Sequence, residues 1–267
     1  NNSEKLIALL QNPDVDPNIT DSMQMTPLHF ACCLGFEELV RILLEDERVD
    51  TELFSEHEYT PLHFACTKGH PAVVALLLAD PRVDPNAALE DDTPFGTIDK
   101  STKNGAEIVK RLLEHPNIDL DRACNMMEDS PFHHLCVNGS AEIISIMISD
   151  PRIDPSMPNI FDDTPLLSAV GQGNAETVRV LLSDPRVDPT ELSQENESLI
   201  YIAARSGHTK VLEVLLEDGR VDPNAIKEDM NCILEALPAQ IAYFRGQTEI
   251  IRILTSNEKA ENQFLQT

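Results

Sequence analysis

The feature that most constrains the fold of this chain is an internal repeat of about 34 residues. A Val-Asp-Pro-Asn turn at residues 15–18 recurs at residues 83–86 and 221–224. With the Asp as marker, full and partial copies stand at Asp16, Asp50, Asp84, Asp119, Asp154, Asp188 and Asp222, in steps of 34 or 35 residues. This period is typical of solenoids, whose units bury their apolar faces only by stacking on their neighbours. We therefore expect stacked units rather than one globular core.

Two further markers keep the same phase as the Asp. A Thr-Pro-Leu-His run or a variant of it begins at Thr26, Thr60, Thr93, Ser130 and Thr164. A glycine follows the Pro eight residues later at Gly35, Gly69, Gly139 and Gly173. Thr followed by Pro is typical of a helix start, and Gly is typical of a helix end. Each unit is therefore predicted to open with a short helix.

The second unit shows the remaining parts of the pattern. Residues 71–78 have apolar spacing of three and four, which predicts a second helix. Asp80-Pro81 ends that helix, because the residue before a proline avoids the helical region. Residues 85–92 are polar and are predicted to form an extended loop or hairpin, which we call a finger. The unit is therefore helix, turn, helix and finger.

These residues resemble the ankyrin repeat family. The likeness rests on Thr-Pro-Leu-His at 60–63, the Ala at 65, Gly-His at 69–70, the Leu run and the finger, and it extends over nearly the whole chain. The resemblance implies an all-α repeat solenoid of stacked helix-turn-helix units with protruding β-hairpin or loop fingers. We expect one domain over residues 1–257 and a polar tail over 258–267. The domain comprises a half repeat at 3–16 and repeats starting near 17, 51, 85, 120, 155, 189 and 223.

The chain departs from the family pattern at two insertions and in the turn after the second helix. Insertions are expected near 96–104 and 233–242, and Leu237-Pro238 stands inside the expected first helix of the last unit. The turn after the second helix often reads Asp-Pro-Arg where the family usually has Gly. We expect its arginines to meet a carboxylate of the adjacent repeat, at Arg82, Arg152, Arg186 and Arg220. Calcium binding is the weaker alternative, because a calcium loop needs more oxygen ligands.

Recurring histidines and cysteines raise the question of a metal site. His29, His63 and His133 share one phase, but ligands of a tetrahedral zinc site must converge on one point. The resemblance implies that these histidines hydrogen-bond within and between repeats. Cys32, Cys66 and Cys136 share one helix face and are expected in the core, whereas Cys33, Cys124 and Cys232 lie off that phase. No metal, cofactor or catalytic residue is predicted.

The net charge of −26 excludes whole classes of partner. Such a chain has little with which to neutralise nucleic-acid phosphates or to dock on an anionic membrane. No apolar run is long enough for a transmembrane helix. The cysteines form no CxxC pair, which favours a reducing, intracellular location such as the cytoplasm. We expect a monomer without enzymatic activity.

The fingers concentrate the acidic residues. Seven finger windows, at 17–25, 51–59, 85–92, 120–129, 155–163, 189–197 and 223–231, hold 17 acidic and two basic residues. The resemblance implies that fingers and first helices line a concave binding face. A carboxylate-lined groove is therefore predicted, with Glu56, Glu58, Glu90, Asp91, Asp92, Asp129, Asp162, Asp163, Glu195 and Glu197. Such a groove accelerates encounter with cationic partners. The alternative is a merely solvated face.

Apolar side chains in the fingers are expected to supply the contact energy that exposed charges lack. The family positions that point into the groove carry Met23, Met25, Tyr59, Met126, Met127, Ile160 and Phe161. The alternative is that some of them pack against neighbouring fingers.

The leading hypothesis is a non-catalytic protein-protein interaction scaffold. Its partner would carry a basic segment, extended or helical, bound along fingers two to six. One alternative is a targeting or substrate-recognition module of a larger protein. Another is a substrate of an asparaginyl hydroxylase, because the resemblance places Asn18, Asn86 and Asn224 at the modified finger position. Asn is also a good turn former there.

Overall fold

The computed structural model of this chain describes residues 2–89, 92–98, 103–122, 129–225 and 237–256. All regular secondary structure within those ranges is α-helical, so the prediction of an all-α repeat solenoid is confirmed. The described fingers are loops without strands, which decides between the two finger forms. The chain divides into unit 1, residues 1–131, and unit 2, residues 132–267. The domain boundaries expected from the sequence remain a prediction.

The helices follow the predicted alternation of first and second helices. Unit 1 contains α1 (Asn2–Leu10), α2 (Pro27–Leu34), α3 (Glu37–Leu44), α4 (Pro61–Thr67), α5 (Pro71–Leu78) and α6 (Lys103–Glu114). From the boundary onward the helices are α7 (Pro131–Asn138), α8 (Ala141–Ile148), α9 (Pro165–Gln172), α10 (Ala175–Leu182), α11 (Leu199–Ser206), α12 (Thr209–Glu217), α13 (Pro238–Phe244) and α14 (Thr248–Ser256).

A capping box starts the first helices of unit 1. The amide of His29 donates to Oγ1 of Thr26 at 3.3 Å, and the amide of Thr26 donates back to Nδ1 of His29 at 3.0 Å. Pro27 occupies the first helical position, where its missing N–H costs nothing. Thr60 and His63 form the same box at α4. The Thr-Pro-Leu-His run therefore encodes the helix start directly.

The predicted core cysteines are buried. Cys32, Cys66 and Cys136 have no exposed surface and lie on the packed faces of α2, α4 and α7. Burial raises the pKa of all three thiols, because the charged thiolate is poorly solvated there. Cys33 is half-buried, in keeping with its different phase. Cys124 and Cys232 lie outside the described residues.

The Asp-Pro-Arg turn joins adjacent repeats through backbone carbonyls. Arg82 pairs with Asp80 of its own turn at 2.6 Å, so the expected carboxylate from the adjacent repeat is wrong. Its guanidinium instead donates to the carbonyl of Leu44 at 2.8 Å and to that of Val49 at 3.0 Å, both in the preceding repeat. The planar donor fork of arginine suits this double task. The same pair and carbonyl contacts recur at Arg48, Arg186 and Arg220, and Arg152 forms the same pair with Asp150.

A second joint forms where a first helix ends. Gly173 is left-handed, with φ of 80°, and a Cβ there would lie 2.6 Å from Nδ1 of His208 in the next repeat. His208 donates from Nε2 to the carbonyl of Gly171 at 2.9 Å. His70 makes the equivalent contact with the carbonyl of Cys33. The left-handed Gly at the end of one first helix and the His of the Gly-His dipeptide in the next repeat thus form a single inter-repeat contact.

The insertions lie close to their predicted places. In the third repeat, residues 93–98 form a turn around the buried Phe95, and residues 99–102 lie outside the described part. In the last repeat, Pro238 begins α13 instead of interrupting it, and the Leu237 amide donates to Oε1 of Gln240. The extra residues therefore precede Pro238, whose spacing to Gly246 matches that in the other repeats.

Candidate protein-binding surface

Each of the four fully described fingers contains a five-residue loop that begins at a small polar residue. In the second finger the amide of Ser55 donates to the Tyr59 carbonyl at 3.0 Å, and the amide of Glu58 donates to the Ser55 carbonyl at 2.9 Å. Glu58 adopts a left-handed backbone, with φ of 62°. The equivalent loops begin at Asp21, Asn159 and Ser193. Asp, Asn and Ser suit this position because their side chains bond amides further along the turn.

The loop exposes its tip and buries its last residue. At the first finger, Met23 is 40% exposed, whereas Met25 is only 7% exposed. Met23 is therefore available to a partner, and Met25 packs into the protein. The alternation follows from the loop, whose left-handed residue Gln24 separates the two methionines.

Tyr59, at the end of the second finger, belongs to an aromatic cluster. Its ring stacks on His63 with a centroid distance of 5.2 Å and meets Phe64 edge to face at 5.7 Å. Burial and then the nearby Asp92, with which it hydrogen-bonds, raise the pKa of Tyr59. The backbone carbonyl of Tyr59 accepts a hydrogen bond from Nε2 of His29 at 3.1 Å. The Tyr59 side chain is therefore half-buried and in contact with α4, and its backbone is bonded to α2.

Sequence reasoning missed apolar residues on the first helices. Phe30 and Leu34 of α2 are exposed, and Phe64 occupies in α4 the position that Phe30 occupies in α2. Because Phe64 contacts Tyr59, this helix position faces the fingers. The sequence does contain a signal for this surface, because Phe stands at the same position of two successive repeats. We define the finger surface of unit 1 by the apolar residues Met23, Phe30, Leu34, Tyr59 and Phe64 and the carboxylates Glu56, Glu58 and Asp92.

The predicted carboxylates of unit 1 divide by exposure. Glu56, Glu58 and Asp92 are exposed, and none of them forms an ion pair with any described residue. Asp129 is buried, so it is not part of an open surface, contrary to the expectation. Glu90, Asp91, Met126 and Met127 lie outside the described residues. The finger surface of unit 1 thus contains three exposed carboxylates together with exposed and half-buried apolar side chains.

In unit 2 the fifth finger presents an apolar tip. Ile160 and Phe161 are 46% and 48% exposed, so both side chains are accessible to solvent. Asp162 is exposed and accepts a hydrogen bond from Nε2 of Gln194 in the sixth finger at 3.1 Å. The bond between Gln194 and Asp162 links two neighbouring finger tips. Asp163 is half-buried, and its amide donates to Oδ1 of Asn159 within the same finger.

The sixth finger does not match the prediction of an open acidic groove. Glu195 is exposed, but Glu197 is buried at 2% exposure. Arg205 of α11 pairs with Glu197 at 2.8 Å and approaches Glu195 at 3.7 Å. Arg205 lies in α11, outside the finger windows, so a count of finger charges does not include it.

The histidine ladder has a structural role. His63 donates from Nε2 to the carbonyl of Asp92 in the next finger at 3.0 Å, and His133 hydrogen-bonds with Oγ of Ser168. Burial lowers the pKa of His63 to about 4 and also lowers the pKa of His29. Bonding within and between repeats, as the resemblance implied, is therefore confirmed. Across the described residues, no group of three His, Cys, Asp or Glu is arranged to hold a metal ion.

The predicted hydroxylation sites connect adjacent repeats. Asn18 donates from Nδ2 to the carbonyl of Arg48 at 2.8 Å and accepts from the amide of Asp50 at 2.8 Å. Asn86 makes the equivalent pair of bonds with Asn117 and Asp119. Asn224, at the same position, is half-buried. Hydroxylation stays a prediction, testable by searching the intact mass of native protein for an added oxygen atom.

Comparison with known proteins identifies the family. Within the described ranges, every helix is too short or too polar to traverse a lipid bilayer. No curated protein sequence matches the chain. The crystal structure of the ankyrin repeat domain of Bcl-3, described as a unique member of the IkappaB protein family, is similar with a TM-score of 0.67 and 20% identity, covering 85% of this chain and 98% of that chain. A family model for ankyrin repeats in three copies matches residues 1–88, 100–191 and 152–227. The chain belongs to the ankyrin repeat family.

Proposed function

We propose that this protein is a non-catalytic interaction scaffold whose finger surface binds a basic segment of a partner protein. Ankyrin repeats are generally protein-protein interaction modules. The observation that carries the finer proposal is the finger surface of unit 1, which combines exposed carboxylates with exposed and half-buried apolar side chains. The carboxylates select and steer a cation, and the apolar groups supply contact area.

The surface suits a segment that mixes cationic and apolar residues. Met23 is adaptable, and Phe30 and Phe64 are flat and rigid, so together they accept varied side chains. Glu56 and Glu58 lie beside them on the second finger with no competing cation among the described residues. Charge alone contributes little affinity at exposed sites, so the apolar contacts must contribute most of it.

The test uses a short synthetic peptide in which lysine alternates with leucine. We expect it to bind the wild-type protein in calorimetry, with an affinity that falls as salt rises. The triple variant E56K/E58K/D92K should lose at least about tenfold in affinity, since three attractive charges become repulsive. The control E38K/E45K/E47K makes the same charge change at exposed residues around α3.

Two outcomes contradict the proposal. The first is an unchanged affinity and salt dependence in the E56K/E58K/D92K variant. The second is an equal loss of affinity in both triple variants, which would show that the affinity depends on the net charge of the protein and not on the position of these carboxylates. A peptide in which glutamate replaces lysine should not bind.

A further inference from the structure

Arg205 is the cation that the sixth finger already holds. It lies in the last turn of α11, and its guanidinium covers the carboxylate of Glu197, whose side chain is only 3% exposed. A second carboxylate, Glu195, lies 3.7 Å from the same nitrogen. A guanidinium between two carboxylates is the arrangement that a cationic partner side chain would otherwise form.

The equivalent helix position carries no charge in the other repeats whose side chain is described. It is Cys33 in α2 and Thr67 in α4, and in unit 2 it is Val137 and Gly171. In unit 1, accordingly, the exposed Glu56, Glu58 and Asp92 have no such internal counterion within the described part. Arg205 therefore distinguishes the sixth finger, whose carboxylates have an internal counterion, from the fingers of unit 1, whose exposed carboxylates have none among the described residues.

We propose that Arg205 is a specificity-determining residue, whose guanidinium occupies the carboxylates of the sixth finger and so keeps cationic partner side chains away from that finger. This inference rests on the proposed function and deepens it by naming a finger that the cations avoid. The neighbouring fifth finger still offers a partner the apolar tip formed by Ile160 and Phe161 and the exposed carboxylate of Asp162.

The test locates the lysine-leucine peptide by NMR, through the amide shifts of Glu56 and Glu58 and of Glu195 and Glu197. In the wild type we expect shifts at the first pair only. In R205Q the second pair should respond as well, and the affinity should rise about threefold to tenfold. R205K keeps the charge and should behave like the wild type.

The matched control is R179Q. Arg179 is an exposed arginine that pairs with Glu217 at 2.7 Å, so its removal changes the net charge by the same amount outside the fingers. R179Q should not make Glu195 and Glu197 respond. The double variant E197Q/R205Q should lose the gain seen in R205Q, because the buried carboxylate is gone. Thermal unfolding of each variant shows that it is folded.

The outcomes separate the two proposals. If the wild-type amides of Glu195 and Glu197 respond as strongly as those of Glu56 and Glu58, the role of Arg205 is refuted and the proposed function stands. If R205Q and R179Q change affinity equally, the effect is net charge and Arg205 has no special role. If Glu56 and Glu58 do not respond in the wild type, the proposed function itself fails. The wild-type spectra decide the first and third cases even if R205Q does not fold.

Discussion

The guanidinium of Arg82 donates to the carbonyl of Leu44, a residue 38 positions earlier, while it pairs with Asp80 in its own turn. One side chain thus closes a turn and joins two repeats. The last carbonyls of a helix lack intrahelical partners, and Arg82 satisfies one of them. The stability of the array depends on such neighbour contacts.

Replacement of Arg82 by Gln should therefore destabilise the fold. We expect a loss of about 1–3 kcal/mol in the free energy of unfolding, because two carbonyls lose their charged donor. Urea unfolding followed by circular dichroism measures the change. R41Q is the control, since Arg41 is exposed on α3 and makes none of these contacts. Equal losses in the two variants would contradict this role for Arg82.

Two glycines that stand two residues apart should respond oppositely to alanine. G173A should cost about 1–3 kcal/mol, because Gly173 is left-handed and its Cβ would meet His208. G171A should be neutral or stabilising by up to about 1 kcal/mol, since Gly171 lies in α9 with open space around it. Thermal unfolding of both variants tests the contrast. A destabilised G171A with an unaffected G173A would overturn the account of this joint.

Glu52 should make folding stability depend on pH. Burial raises its pKa to about 7 and the neighbouring Asp84 and Asp50 add to the rise, while a hydrogen bond from the Asp84 amide opposes it. The folded state therefore holds a proton between about pH 4.5 and 7 that the unfolded state has released. Stability from this group is present at low pH and is lost as the pH rises through 7.

The variant E52Q isolates that contribution. Relative to E52Q, the wild type should lose about 1–2 kcal/mol of stability between pH 5 and pH 8, a value reduced for the partial exposure of Glu52. E56Q, on the exposed tip of the same finger, is the control and should track the wild type. A constant difference between wild type and E52Q across this range would show that Glu52 titrates normally.

His63 should give folding stability the opposite pH dependence. Its lowered pKa means that the folded state resists protonation, so stability falls as the pH drops from about 6.5 through 4. H63Q should retain the helix cap, as Gln240 does in α13, and lose the acid sensitivity. Proton NMR of the imidazole should give a midpoint near 4. A midpoint near 6.5 would mean that His63 is not held neutral by burial.

Local signals allowed much of the fold to be predicted. Thr60, Pro61 and Gly69 act on the backbone beside them, so their phase revealed the first helices and the period revealed the stack. Pro238 was misplaced because the insertion before it shifted the phase. The Arg82 contact was misassigned, since a sequence shows which side chains carry charge but not which carbonyls lie unsatisfied in the next repeat.

The candidate site was harder to predict than the fold. Met23 and Met25 are the same residue type two positions apart, and only the left-handed Gln24 between them decides which is exposed. Glu197 counts as a finger charge in the sequence, but its burial depends on Arg205 from the following helix. Such contacts arise from packing between segments and leave no spacing pattern in the chain.

The arginine joints have a consequence for how this protein responds to ionic strength. In each joint the cation is neutralised by an aspartate two residues away, and its contact with the neighbouring repeat is made to uncharged carbonyl groups. Dissolved salt therefore finds little long-range attraction between repeats to weaken, whereas the exposed carboxylates of the fingers act at a distance and are readily screened. The fold should therefore stay stable over a range of ionic strength in which the proposed binding of a cationic segment weakens strongly.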